Sequence, residues 1–226
     1  MILDELKDFL DKNTSDYAAI ELEEPFKGYK YVISMVIQLS DGVISEIDGA
    51  PTHTYFHHYR SVNRLLDDAA HKTGAILQRN GFDFYPIAAS QSVNDKKDKR
   101  SEMTPTFAGI YSHKKAACLC GLGEMGRNNL FIHSKFGAAV RLSTVFTNCP
   151  EVLNLKSNIS NETKCFSCDN CGLCIKECPA GAITAQGFDP KKCSDYMKNA
   201  FQHIGRGAVC GVCIKACMKK AEIRTK

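Results

Sequence analysis

From Cys168 the chain reads Cys168-x2-Cys171-x2-Cys174-x3-Cys178-Pro179, and part of this run returns 39 residues later. Cys171-Gly172-Leu173-Cys174-Ile175-Lys176-Glu177-Cys178 reappears as Cys210-Gly211-Val212-Cys213-Ile214-Lys215-Ala216-Cys217, with six of eight positions identical. Three thiolates two residues apart can wrap a loop around one centre, and a fourth on the helical turn that follows points away from it. A repeat that carries candidate ligands at matched positions therefore implies a pseudo-symmetric pair of sites. Gly207 occupies the position matching Cys168, so the second site lacks a ligand there, and Cys193 is the free cysteine between the repeats that can supply it.

The C-x2-C-x2-C-x3-C-P spacing is that of bacterial two-cluster ferredoxins, in which the fourth Cys serves the other cluster. The expected assignment is crossed. One 4Fe–4S cluster takes Cys168, Cys171, Cys174 and Cys217, and a second takes Cys178, Cys193, Cys210 and Cys213. Structural zinc also uses paired C-x2-C, but its four-ligand sites need neither the x3 Cys-Pro nor a crossed repeat. Met218 stands where a proline would follow Cys217, which alters the turn and removes no ligand. Cys165 is also in register, so Cys165, Cys168 and Cys171 form an alternative triplet. The later triplet is preferred because it alone keeps the x3 spacing to Cys178.

Cysteine and charge divide the chain at the same place. Of 12 cysteines in 226 residues, nine fall in 162–226, where 11 Lys+Arg face 6 Asp+Glu; residues 1–161 hold 18 against 19. A basic segment can bind nucleic acid. Here it is better matched to two clusters that each carry about −2 with their thiolates, so nucleic acid is not the expected partner. The 44% hydrophobic content allows a real core. No stretch approaches the roughly 20 apolar residues of a membrane span. The start, Met1-Ile2-Leu3-Asp4-Glu5-Leu6-Lys7, lacks the basic and apolar regions of a secretory signal. A reducing, cytoplasmic setting is expected, where cysteines serve metals rather than disulfides.

Residues 1–161 read as a mixed α/β domain, and 162–226 as the cluster module. Apolar spacing predicts helices over 2–12 and 57–78, the second stopped by Asn80-Gly81, and Ser112 is placed to cap a helix through Leu119. Strands are expected over 31–39, 82–88, 129–133 and 138–147, with a polar loop over 91–103. Gly121-Leu122-Gly123-Glu124-Met125-Gly126 matches G-x-G-x-x-G. The dinucleotide fingerprint, however, needs a strand before it, a helix after it and an acid about 20 residues on. None of these is expected here, so a nicotinamide site is set aside. The three glycines would still let a backbone approach a flat or charged ligand closely.

His113-Lys114-Lys115-Ala116-Ala117 leads into this glycine loop, Arg127 and Asn128. Phe136-Gly137, Arg141 and the two cluster motifs follow, with Asp189-Pro190-Lys191-Lys192-Cys193 between them. The whole resembles epoxyqueuosine reductases, and resembles the core of reductive dehalogenases still more closely. Tyr55-Phe56-His57-His58-Tyr59-Arg60 and Asn63 are similar to an earlier helix of that core. The resemblance implies a nitroreductase-like α/β domain that holds a corrinoid (cobalamin), beside a ferredoxin-like two-cluster module that passes electrons to it. An external ferredoxin or flavodoxin would be the donor, and a small molecule that loses oxygen or halide the substrate. Flavin in the same pocket, or an electron carrier without its own catalytic cofactor, are the alternatives.

Under the resemblance, Gly121, Gly123, Gly126, Arg127, Asn128, Arg141, His57 and Tyr59 are the expected cofactor-binding residues. The stretch 101–113 has no Asp at the place where epoxyqueuosine reductases carry a proton donor. Glu102, Tyr111 and His113 are the groups left for that role. The chain also ends without the helical repeats that help those reductases hold tRNA.

Overall fold

Along the segment Tyr29–Gln38 alternate side chains leave for opposite layers, and the middle stretch Val32–Val36 is buried throughout. Ile33 and Met35 join one core while Val32 and Val36 join apolar clusters on the other face. A strand covered on both faces reads as a continuous apolar run, which is why it was visible in the sequence. The computed structural model describes residues 1–91, 94–95, 104–105, 107–159, 168, 170–201 and 209–224. In chain order its elements are α1 (Ile2–Asn13), β1 (Asp16–Phe26), β2 (Tyr29–Gln38), α2 (Asp41–Ser45), α3 (His53–Arg79), β3 (Phe84–Ile87), β4 (Asn94–Asp95) and β5 (Thr104–Pro105). There follow α4 (His113–Leu119), β6 (Gly123–Met125), β7 (Phe131–His133), β8 (Val140–Thr147), a 3-10 turn at Pro150–Asn154, α5 (Leu173–Glu177), α6 (Pro190–Phe201) and α7 (Val212–Arg224).

The main sheet is antiparallel throughout, in the order β1-β2-β8-β3. Helices α1 and α3 cover one face, and α4 with the β6–β7 hairpin covers the other. The period of two along β8 sends Arg141 and Val145 toward α3 and sends Thr144 and Phe146 toward α4. A register slip of one residue would exchange these sets, so the pairing Val36↔Leu142 fixes which side Arg141 serves.

Helix α3 begins a turn earlier than its periodicity suggested. Thr52 accepts the Tyr55 N–H at 3.1 Å, a cap that contributes about 1 kcal/mol. The helix ends where expected, with Gly81 at φ +87 just beyond it. Ser112 caps α4, as the sequence indicated. Two features differ from expectation. The glycine segment itself contains strand β6, and Asn129, expected in a strand, sits at φ 58 in the hairpin turn, so that β7 starts at Phe131. Strand β1 carried no clear period because it is buried on both sides through Ala19 and then becomes acidic and exposed.

The cysteine-rich segment shares the main core. Val209, Val212 and Ile214 pack with Ile44, Ile47 and Tyr55 in the same cluster that contains Leu6 and Leu66. Lys219 also ties α7 to Glu177 on α5, at 3.1 Å. Among the described residues no helix is long and apolar enough to cross a membrane.

Candidate functional site

The functional groups gather in two places that touch. The first begins with Arg141, which rises from β8 toward α3. Its Nε donates to Asn63 Oδ1 at 2.9 Å, and its Nη2 donates to the Tyr59 hydroxyl at 3.1 Å and to the Ala89 carbonyl at 3.3 Å. The guanidinium carbon also lies 4.2 Å from the centre of the Tyr59 ring. Tyr59 and Asn63 lie four apart on α3 and so share one helix face. Among the described residues no carboxylate pairs with Arg141, so its charge is held by neutral acceptors alone.

This arrangement changes Tyr59 as an acid. Burial opposes ionisation of its phenol, but the Arg141 guanidinium and hydrogen bonds from Asn63 and Ser90 outweigh burial and hold its pKa below the ordinary value. Tyr59 is therefore the acidic phenol of the site, a role that its sequence context did not signal. Tyr111 is the opposite case. It packs edge-on against Phe26 at 5.0 Å and Phe146 at 4.8 Å, and burial raises its pKa. His113 is tied down at both ring nitrogens. Nδ1 lies 2.7 Å from Thr144 Oγ1 and Nε2 lies 2.8 Å from the Ala88 carbonyl. The Ala88 carbonyl only accepts, which favours the proton on Nε2 with Nδ1 accepting from the threonine hydroxyl, although the Gln91 side-chain nitrogen also stands 3.0 Å from Nε2. Burial lowers its pKa, which keeps the ring neutral at pH 7. Glu102 and Cys165 lie outside the described residues. His57 is exposed on α3, against the Phe56 ring.

The glycines are required chiefly by the hairpin. A Cβ on Gly123 would lie 2.1 Å from the Ile132 carbonyl oxygen, and one on Gly126 would meet Asn128 Oδ1 at 2.7 Å. Gly121 has open space and φ +73. Past them, the Arg127 N–H donates to Cys168 Sγ at 3.4 Å, and Asn128 Nδ2 donates to the Cys213 carbonyl at 3.5 Å.

The second place is the pair of cysteine groups. Burial raises the Cys174 thiol, and its neighbours Cys168 and Cys171 raise it further. Burial pushes Cys217 up to about 11, against a hydrogen bond from the Ala138 backbone, with Cys168, Cys174 and Cys171 adding to the rise. Cys210 reaches about 11 through burial, opposed by the Val212 backbone and reinforced by Cys193 and Cys178. Cys193 is raised by burial and by Cys178, and Cys213 by burial and then by Cys210, Cys193, Cys178 and Cys174. Burial and mutual repulsion keep these groups as neutral thiols on their own, and a bound metal centre is what would favour their thiolate forms. Among the described residues no three His, Cys, Asp or Glu side chains are grouped to hold a single metal ion.

The two places meet at Tyr55. Gly211, between Cys210 and Cys213, lies so close to the Tyr55 ring that a Cβ there would be 2.8 Å from it, and that ring stands 6.3 Å from Tyr59.

Comparison with known proteins agrees with this layout. Residues 166–184 match the 4Fe-4S binding domain model. The chain is 30% identical over 125 residues to the tetrachloroethene reductive dehalogenase of Sulfurospirillum multivorans, covering 50% of this chain and 24% of that protein. It is 27% identical over 128 residues to the epoxyqueuosine reductase of Staphylococcus aureus, covering 52% of this chain and 32% of that one. Among solved structures, a catabolic reductive dehalogenase in complex with 3-bromo-4-hydroxybenzoic acid superposes on 97% of the chain with TM-score 0.71 at 17% identity, and this covers 33% of its own length. An epoxyqueuosine reductase solved with a modified tRNA stem loop matches 95% of the chain with TM-score 0.53 at 16% identity, over 64% of its own length. The matched part is thus a third or less of either curated relative. The chain is thus similar in sequence to parts of reductive dehalogenases and epoxyqueuosine reductases, shares their fold, and matches a 4Fe-4S binding domain over 166–184.

Proposed function

We propose that the chain is an iron–sulfur reductase for a small molecule, with two 4Fe–4S clusters and a corrinoid as its cofactors. Cys168, Cys171, Cys174 and Cys217 would hold one cluster, and Cys178, Cys193, Cys210 and Cys213 the other. The observation that carries this reading is the contact between Gly211 of the second cysteine group and Tyr55, one helical turn from Tyr59. This contact supports the reading because it sets Gly211, between Cys210 and Cys213, close to an acidic phenol and to a guanidinium that no carboxylate pairs among the described residues.

When bound, the clusters carry single electrons and the corrinoid supplies a low-potential nucleophile for cleavage of a carbon–halogen or carbon–oxygen bond. The chain's own residues do the rest. Tyr59 holds a proton on its hydroxyl and gives it to the group that leaves or to the carbon left behind. Arg141 stabilises the phenolate that remains, and Asn63 and the Ala89 carbonyl fix the guanidinium in place. Gly121, Arg127 and the exposed His57 would face the corrinoid, while Gly123, Gly126 and Asn128 shape the hairpin that carries Arg127. A ferredoxin or flavodoxin in the cytoplasm would supply the electrons.

Purification without oxygen, followed by extraction of small molecules and assay of iron, tests the proposal. Two clusters and a cobalt spectrum that changes when the clusters are reduced are expected after addition of cobalamin. Two intact clusters with no binding at micromolar cobalamin would leave an electron carrier instead, and a bound flavin would give the third reading. Nucleic acid stays outside the proposal, and reduction of tRNA-borne epoxyqueuosine by the purified chain would bring it in.

A further inference from the structure

The turn of the β6–β7 hairpin reaches both cysteine groups, and it treats them differently. Toward Cys168 it presents an N–H on the ligand sulfur, at 3.4 Å, and a guanidinium whose Nη2 donates to the Cys168 carbonyl at 3.5 Å. Toward Cys213 it presents only the neutral Asn128 amide, on a backbone carbonyl. The turn is firmly built. Gly126 N–H donates to the Leu130 carbonyl at 2.8 Å, Leu130 N–H donates to Asn128 Oδ1 at 3.1 Å, and Asn128 is buried. Arg127 is exposed and has no carboxylate partner among the described residues, so a positive charge, partly screened by solvent, stands beside Cys168.

We infer that Arg127 sets the order of the two reduction potentials, making the cluster of the Cys168 group easier to reduce than the cluster of the Cys178 group. The inference rests on the two-cluster reading above. One electron from an external one-electron donor takes a cubane and its four thiolates from about −2 to about −3, with no bond made or broken. A fixed cation and an N–H on a ligand sulfur both favour the more negative state, so both raise the potential of the nearer cluster. The second group works in the other direction, since its Gly211 and Val212 are buried and added charge there is poorly solvated. Arg127 is thus a positioning and tuning residue, acting through Cys168.

The test is a redox titration of the full chain, reconstituted with iron and sulfide without oxygen and followed by electron paramagnetic resonance. Wild type should show two separate midpoints. Arg127→Gln keeps the backbone N–H, removes the charge and should lower the higher midpoint while leaving the other in place. Arg127→Lys should restore most of that loss. Unmoved midpoints in Arg127→Gln, an equal shift of both, or a shift of the lower one alone would overturn the inference. Iron is measured on the same samples. About eight irons per chain with unmoved midpoints removes the inference alone, whereas about four or none in wild type removes the two-cluster reading with it.

Discussion

Arg141 donates to the Tyr59 hydroxyl at 3.1 Å while its guanidinium stacks over the same ring at 4.2 Å. One cation thus stabilises the phenolate both by hydrogen bond and by charge. The proton is held only below the lowered pKa, so a reaction that needs it fails on the alkaline side at lower pH than an ordinary tyrosine near 10 would impose. Tyr59→Phe should cut substrate turnover by about 10²–10⁴-fold with cluster content unchanged. Arg141→Gln should move phenolate formation upward in pH, read from the ultraviolet difference spectrum. An unchanged titration would show that Arg141 does not set the acidity of Tyr59.

The crossed ligand sets make a prediction in which the two halves of the repeat behave oppositely to their order in sequence. Cys217→Ser should remove the cluster that otherwise uses Cys168, Cys171 and Cys174, and Cys178→Ser should remove the other. Each should lower iron from about eight to about four per chain, with different surviving resonance spectra. Cys165→Ser should leave iron unchanged. Loss of one cluster in that variant would move the ligand triplet one step earlier.

Gly211 is the point where the cysteine segment meets the tyrosines. It has φ +81, and a Cβ would lie 2.7 Å from Ile47 and 2.8 Å from Tyr55. Gly211→Ala should cost on the order of 2–4 kcal/mol, part from backbone strain and part from overpacking. Gly28 has φ +90 with nothing within 4 Å, so Gly28→Ala carries the strain alone. Denaturant midpoints should rank Gly211→Ala well below Gly28→Ala, and equal values would show that the Tyr55 contact is slack.

His113 gives the fold a pH dependence of known sign. Burial lowers its pKa in the native state, so the unfolded chain binds the proton more readily. The stability this provides is fully present above the unfolded pKa of about 6.5 and is lost as pH falls from there through the native value. Urea unfolding at about pH 7.5 and about pH 5.5 should show a larger acid loss in wild type than in His113→Gln. An identical loss in both would place the acid-sensitive group elsewhere.

Much of this chain was legible in its sequence because the signals were local. The helices 2–12, 57–78 and 113–119 announced themselves by spacing and caps, and the structure places α1, α3 and α4 there. β2 and β8 were readable as apolar runs, since burial on both faces requires them. The spacing of Cys168 to Cys178 and its repeat at Cys210 restricted the chemistry before any fold was known. β1 was not legible, because a half-buried edge strand with an acidic end has no constant period.

What only the tertiary structure decided was which distant residues become partners. Arg141 and Tyr59 are 82 positions apart, and their contact depends on strand register and on the rotation of α3. Arg127 and Cys168, 41 apart, meet because a glycine hairpin folds back against the cysteine segment. Residue type and short-range spacing are written along the chain, and they marked the cysteine segment as one that matches a 4Fe-4S binding domain. The acidity of Tyr59 and the charge beside Cys168 arise only when the packed core brings those groups within hydrogen-bond reach of each other.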